Sequence, residues 1–188
     1  MKFIIEHLEK KLYPWCLIEY KNISRTAGKN NLIFTNIKSK KLKKIGKVKK
    51  ESVIELKLKN ACLLDPKAKK TLTPKEAKKF DYFIFGGILG DFPERGRTKK
   101  YLSSKLKNAK IRNLTEKQMA TDTAVMVAKL IINGTPVKKI KFIDSPALKI
   151  RNGKFQEEII LPYRYIIKNK KPRISGEMIK YLKNKKGI

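Results

Sequence analysis

The sequence predicts an α/β domain with a mostly parallel sheet and helices on both faces, and three observations predict it. Short unbroken apolar runs recur at Phe3-Ile4-Ile5, Leu32-Ile33-Phe34, Ala61-Cys62-Leu63-Leu64 and Tyr82-Phe83-Ile84-Phe85. Runs of that length suit strands buried on both faces. Segments with helical spacing or caps lie between them. Turn residues close the later runs directly, Asp65-Pro66 in one case and Gly86-Gly87 in the other. Strand–helix alternation of this kind builds one sheet with short, right-handed crossovers. Residues 1–188 read as a single domain, with 162–188 as a basic C-terminal extension.

Taken in order, Met1–Ile5 is a first, central strand that runs into Glu6-His7-Leu8-Glu9. Tyr13 to Tyr20 is amphipathic, with Pro14 in the first turn of a helix. Gly28–Asn31 makes a turn, and Leu32–Asn36 a second strand. Lys38 to Lys50 carries lysines around Leu42, Ile45 and Val48, which are spaced by three and predict a basic helix with one apolar stripe. Ala61–Leu64 is the next strand. Thr73-Pro74-Lys75-Glu76 marks a helix start: cap, first-turn proline and a glutamate three residues on. The Tyr82–Phe85 strand follows, then a lysine-rich helix from Thr98 to about Lys107 and a strand at Lys110–Leu114. A polar segment from Thr115 feeds a helix that continues to Ile131 and stops at Asn133-Gly134. Val137–Ile143 is expected as a strand, Ile159–Tyr165 as a late hydrophobic segment, and Ser175–Lys183 as a closing basic helix.

Charge sets the class of partner. Forty-seven basic residues against sixteen acidic ones give a formal net charge of +31. Such a surface binds polyanions through phosphate contacts and counterion release, so RNA or a ribonucleoprotein surface is the expected partner. Cys16 and Cys62 lack the spacing of a zinc site or a disulfide framework, and no metal is expected. The absence of a signal-like N-terminus and of a membrane-length apolar run suggests a cytoplasmic setting without a membrane.

Gly86-Gly87-x-x-Gly90 lies directly after a buried strand, where open α/β sheets build ligand sites. It is neither a P-loop nor a dinucleotide fingerprint. His7 is the sole histidine, which speaks against a hydrolytic triad. By spacing alone, the stretch from Asp81 to Thr98 is a strand that ends in a permissive loop.

Ile4-Ile5-Glu6-His7-Leu8-Glu9, Cys62-Leu63-Leu64-Asp65-Pro66, Phe80 to Asp91, Arg95-Gly96-Arg97-Thr98, Asn113-Leu114 and Met119 to Ala124 together closely resemble the SPOUT class of methyltransferases. Within it they resemble the family of the yeast arginine methyltransferase that modifies a small-subunit ribosomal protein. The resemblance runs from Met1 to about Leu161. It implies a trefoil knot in the C-terminal half, S-adenosylmethionine as cofactor and a monomer rather than a homodimer. The positions matching the family's cofactor loops are Phe85, Gly86, Gly87 and Gly90, then Asn113 and Leu114, then Met119, Ala120, Thr121 and Thr123.

Methyl transfer from an activated sulfonium asks the protein mainly to align a nucleophile and exclude water. A guanidinium nucleophile calls for a carboxylate, and the candidates are Asp91, Asp122, Glu94 and Glu6, the first two ranked highest. Arg95, Arg97 and Thr98 are candidates for gripping the substrate or the cofactor carboxylate. Two other functions stay open at this point: an RNA methyltransferase of the same fold, and a catalytically silent RNA-binding or ribosome assembly factor.

Overall fold

The computed structural model describes residues 1–88, 95–152 and 155–184, with 150–152 and 155–157 as backbone only. β1 (Lys2–His7) runs through the middle of the molecule. Strand periodicity sends Phe3, Ile5 and His7 to one face and Ile4 and Glu6 to the other. The first helix is α1 (Pro14–Ala27), which ends at Gly28 with φ 86°. Then follow β2 (Leu32–Thr35), α2 (Lys40–Lys43), β3 (Lys47–Val48), β4 (Ala61–Leu64), α3 (Pro74–Ala77), β5 (Tyr82–Gly87) and β6 (Ala109–Arg112). The six strands form one parallel sheet in the order β3-β2-β1-β5-β4-β6. Chain order reverses across β1 and β5, so their carboxyl ends flank the crevice where open α/β sheets bind ligands.

One face of the sheet is covered by α1 and by α4 (Thr121–Ile132). The core there joins Phe3, Ile5, Tyr20, Phe34, Phe83, Phe85 and Val125. The opposite core joins Ile4, Leu63 and Ile84 to Val53 and Leu102. Leu102 comes from a single wide helical turn, Lys99–Ser103, in place of the longer helix expected up to Lys107.

Two further expectations are corrected. The Lys38–Lys50 segment is no continuous helix: α2 is one turn, capped by Ser39 Oγ, which accepts from the Leu42 amide at 3.3 Å. The chain then passes Gly46, where an added Cβ would lie 2.8 Å from the Phe34 ring, and enters β3 beside β2. Leu42, Ile45 and Val48 all reach the same core, so their spacing imitated a helical stripe. The expected strand at Val137–Ile143 is a short helical turn, Val137–Lys139, followed by β7 (Phe142–Asp144).

Beyond β7 an antiparallel hairpin pairs β8 (Ala147–Asn152) with β9 (Phe155–Ile160). β10 (Arg164–Lys168) lies between β7 and β11 (Lys171–Pro172), and α5 (Gly176–Asn184) closes the described chain. Leu161, Tyr165, Met178 and Leu182 form a third cluster, packed on Trp15 and Ile18 of α1. No described helix is long and apolar enough to cross a membrane.

Candidate active site

The carboxyl ends of β4 and β5, the chain after β6 and the first turn of α4 meet around a cleft of about 740 Å³, its open mouth included. Leu64, Phe85, Ile88, Leu114 and Met119 supply apolar walls. Arg95, Arg97, Thr98, Thr115, Lys117, Gln118 and Thr121 bring polar groups to it. Gly86 sits in the lining, where an added Cβ would meet Ile88 Cδ1 at 3.0 Å and Thr98 Oγ1 at 3.6 Å. A side chain there would fill the slot. An apolar slot with a bare backbone floor and basic groups along one lip fits a flat adenosine carrying a charged amino-acid tail.

The loop that makes one wall is held from outside. Lys117 Nζ donates to Asp144 Oδ2 at 2.8 Å, and Arg164 Nε donates to Asp144 Oδ1 at 2.6 Å. The Arg164 amide donates to Gln118 O at 2.9 Å. These bonds, Arg164 foremost, hold the Asp144 carboxyl well below the usual carboxylate range.

Of the residues singled out in the sequence, Phe85, Gly86, Leu114, Met119, Thr121, Arg95, Arg97 and Thr98 line the cleft. Gly90, Asp91 and Glu94 lie outside the described residues. The remaining positions do not face it. Gly87 is pressed against Tyr20, whose Oη would lie 2.3 Å from an added Cβ. Asn113 is committed to the neighbouring turn: its Nδ2 donates to Ala68 O at 2.7 Å, and its Oδ1 accepts from Thr71 Oγ1 at 2.8 Å. Ala120 belongs to the third apolar cluster, and Thr123 is buried within α4. Glu6 is the clearest correction. Buried on the far face of β1, its carboxylate accepts from Thr35 Oγ1 at 2.5 Å, Ser52 Oγ at 2.6 Å and the Val53 amide at 2.8 Å. It ties β1 to β2 and the 52–53 turn, and its acceptors are taken.

Asp122 sits one residue beyond the cleft lining, half-buried between α1 and α4. Asn22 Nδ2 donates to its Oδ2 at 2.7 Å. Opposite it is Glu19, a buried residue that accepts from Trp15 Nε1 at 2.7 Å. Burial first, and then the neighbouring Asp122, push the Glu19 carboxyl up to about 8. Burial also raises Asp122, against the pull of Asn22. At the other end of the cleft, Arg97 Nη2 donates to Glu9 Oε1 at 2.9 Å.

Glu9, Glu19 and Asn22 had no place among the residues picked from sequence. A signal for Glu19 was present. It shares the buried face of α1 with Cys16, Tyr20 and Ile23, at helical spacing, so a carboxylate there is out of water. Glu9 needed the fold, because its partner Arg97 is 88 residues away. No group of three or more His, Cys, Asp or Glu among the described residues is placed to hold a metal ion.

Comparison with known proteins bears on the same region. The family model described as protein arginine N-methyltransferase SFM1-like matches residues 2–187. Protein arginine N-methyltransferase SFM1 of Saccharomyces cerevisiae is 38% identical, with 97% of this chain and 94% of that protein aligned. The crystal structure of the yeast arginine methyltransferase SFM1 with S-adenosylmethionine superposes with a TM-score of 0.86 at 37% identity, covering 97% of this chain and 89% of that one. Its complex with MTA (methylthioadenosine) gives a TM-score of 0.82 at 34% identity, covering 97% and 100%.

Proposed function

The chain belongs to the SFM1-like family of protein arginine N-methyltransferases, which makes it an S-adenosylmethionine-dependent enzyme of SPOUT fold with a knot implied by homology; from this premise we propose that it methylates an arginine of a small-subunit ribosomal protein. The observation that carries the reading is the cleft at the carboxyl ends of β4 and β5, apolar on its walls, bare at Gly86 and basic along one lip. In this reading Leu64, Phe85, Ile88, Leu114 and Met119 hold the adenosine, and Arg95 and Arg97 face the amino-acid tail. The bound cofactor supplies the activated methyl group.

The protein's own part is alignment and charge. Attack by a guanidinium nitrogen exchanges an N–H for an N–CH₃, and the displaced proton needs an acceptor. Asp122 is our candidate for it: it follows the cleft-lining Thr121 in the chain, and Asn22 donates to its carboxylate. Its raised proton affinity suits a group that takes a proton during the transfer. Asp91 and Glu94 stay in the proposal as further carboxylates on the first cofactor loop.

Binding to ribosomal RNA is the second half of the proposal. Lys38, Lys40, Lys41, Lys43, Lys44, Lys47 and Lys50 are all exposed around α2, a surface suited to phosphates near the protein substrate. Large exposed apolar side chains among the described residues are scattered at Met1, Ile54, Tyr101 and Ile160, which supports a monomer, and we place its work in the cytoplasm. The deciding experiment is transfer of labelled methyl groups into ribosomes, followed by separation of protein from RNA. Label is expected in the protein fraction, on arginine; recovery in RNA alone sinks the proposal. Asp122→Asn is expected to lower turnover at least tenfold while calorimetric affinity for the cofactor stays within about threefold.

A further inference from the structure

β10 turns into β11 through Asn169 and Lys170 alone, with Lys168 in register with Lys171. Both turn residues lie in the left-handed region, at φ 51° and 60°. A two-residue hairpin favours that geometry, and asparagine followed by glycine adopts it with least strain. Here a lysine holds the glycine position, and strain kept at an exposed tip points to a side chain with a task. Lys168, Lys170 and Lys171 are all exposed. The neighbouring strand adds charge beside them. The Ile167 amide donates to Lys141 O at 2.8 Å, and Lys138 and Lys139 sit on the turn leading there. These three lysines are exposed too, and none of the six forms an ion pair with a described residue. Asp144 of β7 is held by Lys117 and Arg164, and Glu177 of α5 by Lys21 and Arg25. The charge of this sheet edge is therefore open to an outside anion.

We propose that the β7–β10–β11 edge is a binding platform for double-helical RNA, separate from the α2 lysines, with these six lysines set against phosphates. The aromatic residues of its strands, Phe142 and Tyr165, pack into the cores. No exposed ring of these strands is left to stack on a base, so contact goes to the backbone and recognition follows shape and charge rather than sequence. β10 gives the platform a fixed offset from the cleft. The amide of Arg164, its first residue, donates to O of the cleft-lining Gln118 at 2.9 Å. Lys168 lies four residues further, roughly 13 Å along the strand. An RNA helix held there passes beside the cleft without entering it, and presents an arginine of the protein bound to that RNA. The inference rests on the reading of ribosomes as the place of work.

The direct test is fluorescence anisotropy of the full chain with a labelled RNA duplex of about 20 base pairs, over a series of salt concentrations. Lys168→Gln, Lys170→Gln and Lys171→Gln together are expected to weaken binding about tenfold and to flatten the slope of log K against log salt by roughly 2–3 units. The same charge removed at Lys75, Lys78 and Lys79, exposed ahead of β5 at the amino end of the sheet, is expected to change affinity less than about threefold. Equal weakening by the two triples means that bulk charge does the binding, and the platform is wrong. Lys170→Gly guards against a folding cause. It removes the left-handed strain, so its urea midpoint should not fall, while RNA binds about threefold more weakly. Wild-type affinity in that variant also overturns the platform. Labelled methyl transfer keeps the two readings apart. The 168/170/171 triple is expected to raise KM for intact small ribosomal subunits about fivefold, and to leave KM for the RNA-free subunit proteins within about twofold. An equal rise for both substrates removes the RNA platform and leaves the arginine reading intact. If the wild-type chain labels no protein, the arginine reading falls, and the anisotropy series decides the platform without it.

Discussion

Glu6 and Glu19 are both buried glutamates on elements that meet the first sheet strand, and their surroundings give them opposite behaviour. Three donors saturate Glu6, so it serves as a structural tie. Glu19 is instead out of water and faces a second carboxylate, so burial first and then Asp122 raise its proton affinity. Its folded-state value of about 8 lies above the ordinary 4.5, so the folded chain binds the proton more tightly than the unfolded one. The stability contributed by this group is then full below about pH 4.5 and is lost as pH rises toward 8. Urea unfolding between pH 6.5, above which the buried neutral His7 no longer contributes, and pH 8 should show wild-type stability falling as pH rises, and a flatter line for Glu19→Gln. Gly87 is constrained by space rather than charge. An alanine Cβ would meet Tyr20 Oη at 2.3 Å and Ile5 Cγ2 at 2.9 Å. Gly87→Ala should cost roughly 1–3 kcal/mol in denaturant melts, as overpacking does. Adding Tyr20→Phe should recover part of that loss, since the hydroxyl is the nearest obstruction; a strictly additive double variant would contradict this account.

At the scale of elements, α2 and its flanks carry the exposed lysines, and their part in polyanion binding has a quantitative signature. Replacing Lys40, Lys41, Lys43 and Lys44 by alanine should weaken RNA binding and reduce the slope of log K against log salt by roughly 3 units, about 0.7–0.9 for each phosphate no longer neutralised. Filter binding at a series of salt concentrations measures it. The same region shows where local pattern misleads. Strands β1, β2, β4 and β5 were legible because they are buried on both faces and so read as unbroken apolar runs. The α3 start was legible because Thr73 Oγ1 does accept from the Glu76 amide. The three-residue spacing of Leu42, Ile45 and Val48 has a tertiary origin instead, a turn folding back along β2, which no periodicity count separates from a helix. The cleft divides in the same way. Gly86 and Leu114 were visible as loop residues beside strands, whereas Glu9 and Glu19 act through partners on distant segments.

For the whole molecule, the segment from β10 onward is part of the scaffold behind the site. Arg164 fixes Gln118 and Asp144, and Tyr165 and Met178 back the start of α4. Removing residues 162–188 should therefore abolish cofactor binding in calorimetry, and Asp144→Asn in the full chain should weaken it by roughly threefold to tenfold. Unaltered affinity in both would show that the 115–119 wall stands without this support. The strand order has another consequence, one of timing. β1 is made first, yet its partner across the sheet, starting at the Lys2–Tyr82 register, emerges some eighty residues later. At ribosomal rates of about 5–20 residues per second, the strand carrying Phe3, Ile4 and Ile5 waits roughly 4–16 s for that edge to be covered. During synthesis the future centre of the protein thus keeps one apolar edge open even after β2 is available to pair with the other. Its tendency to aggregate will depend on how fast the nascent chain lengthens, and a chain stalled before residue 82 should be a strong chaperone client.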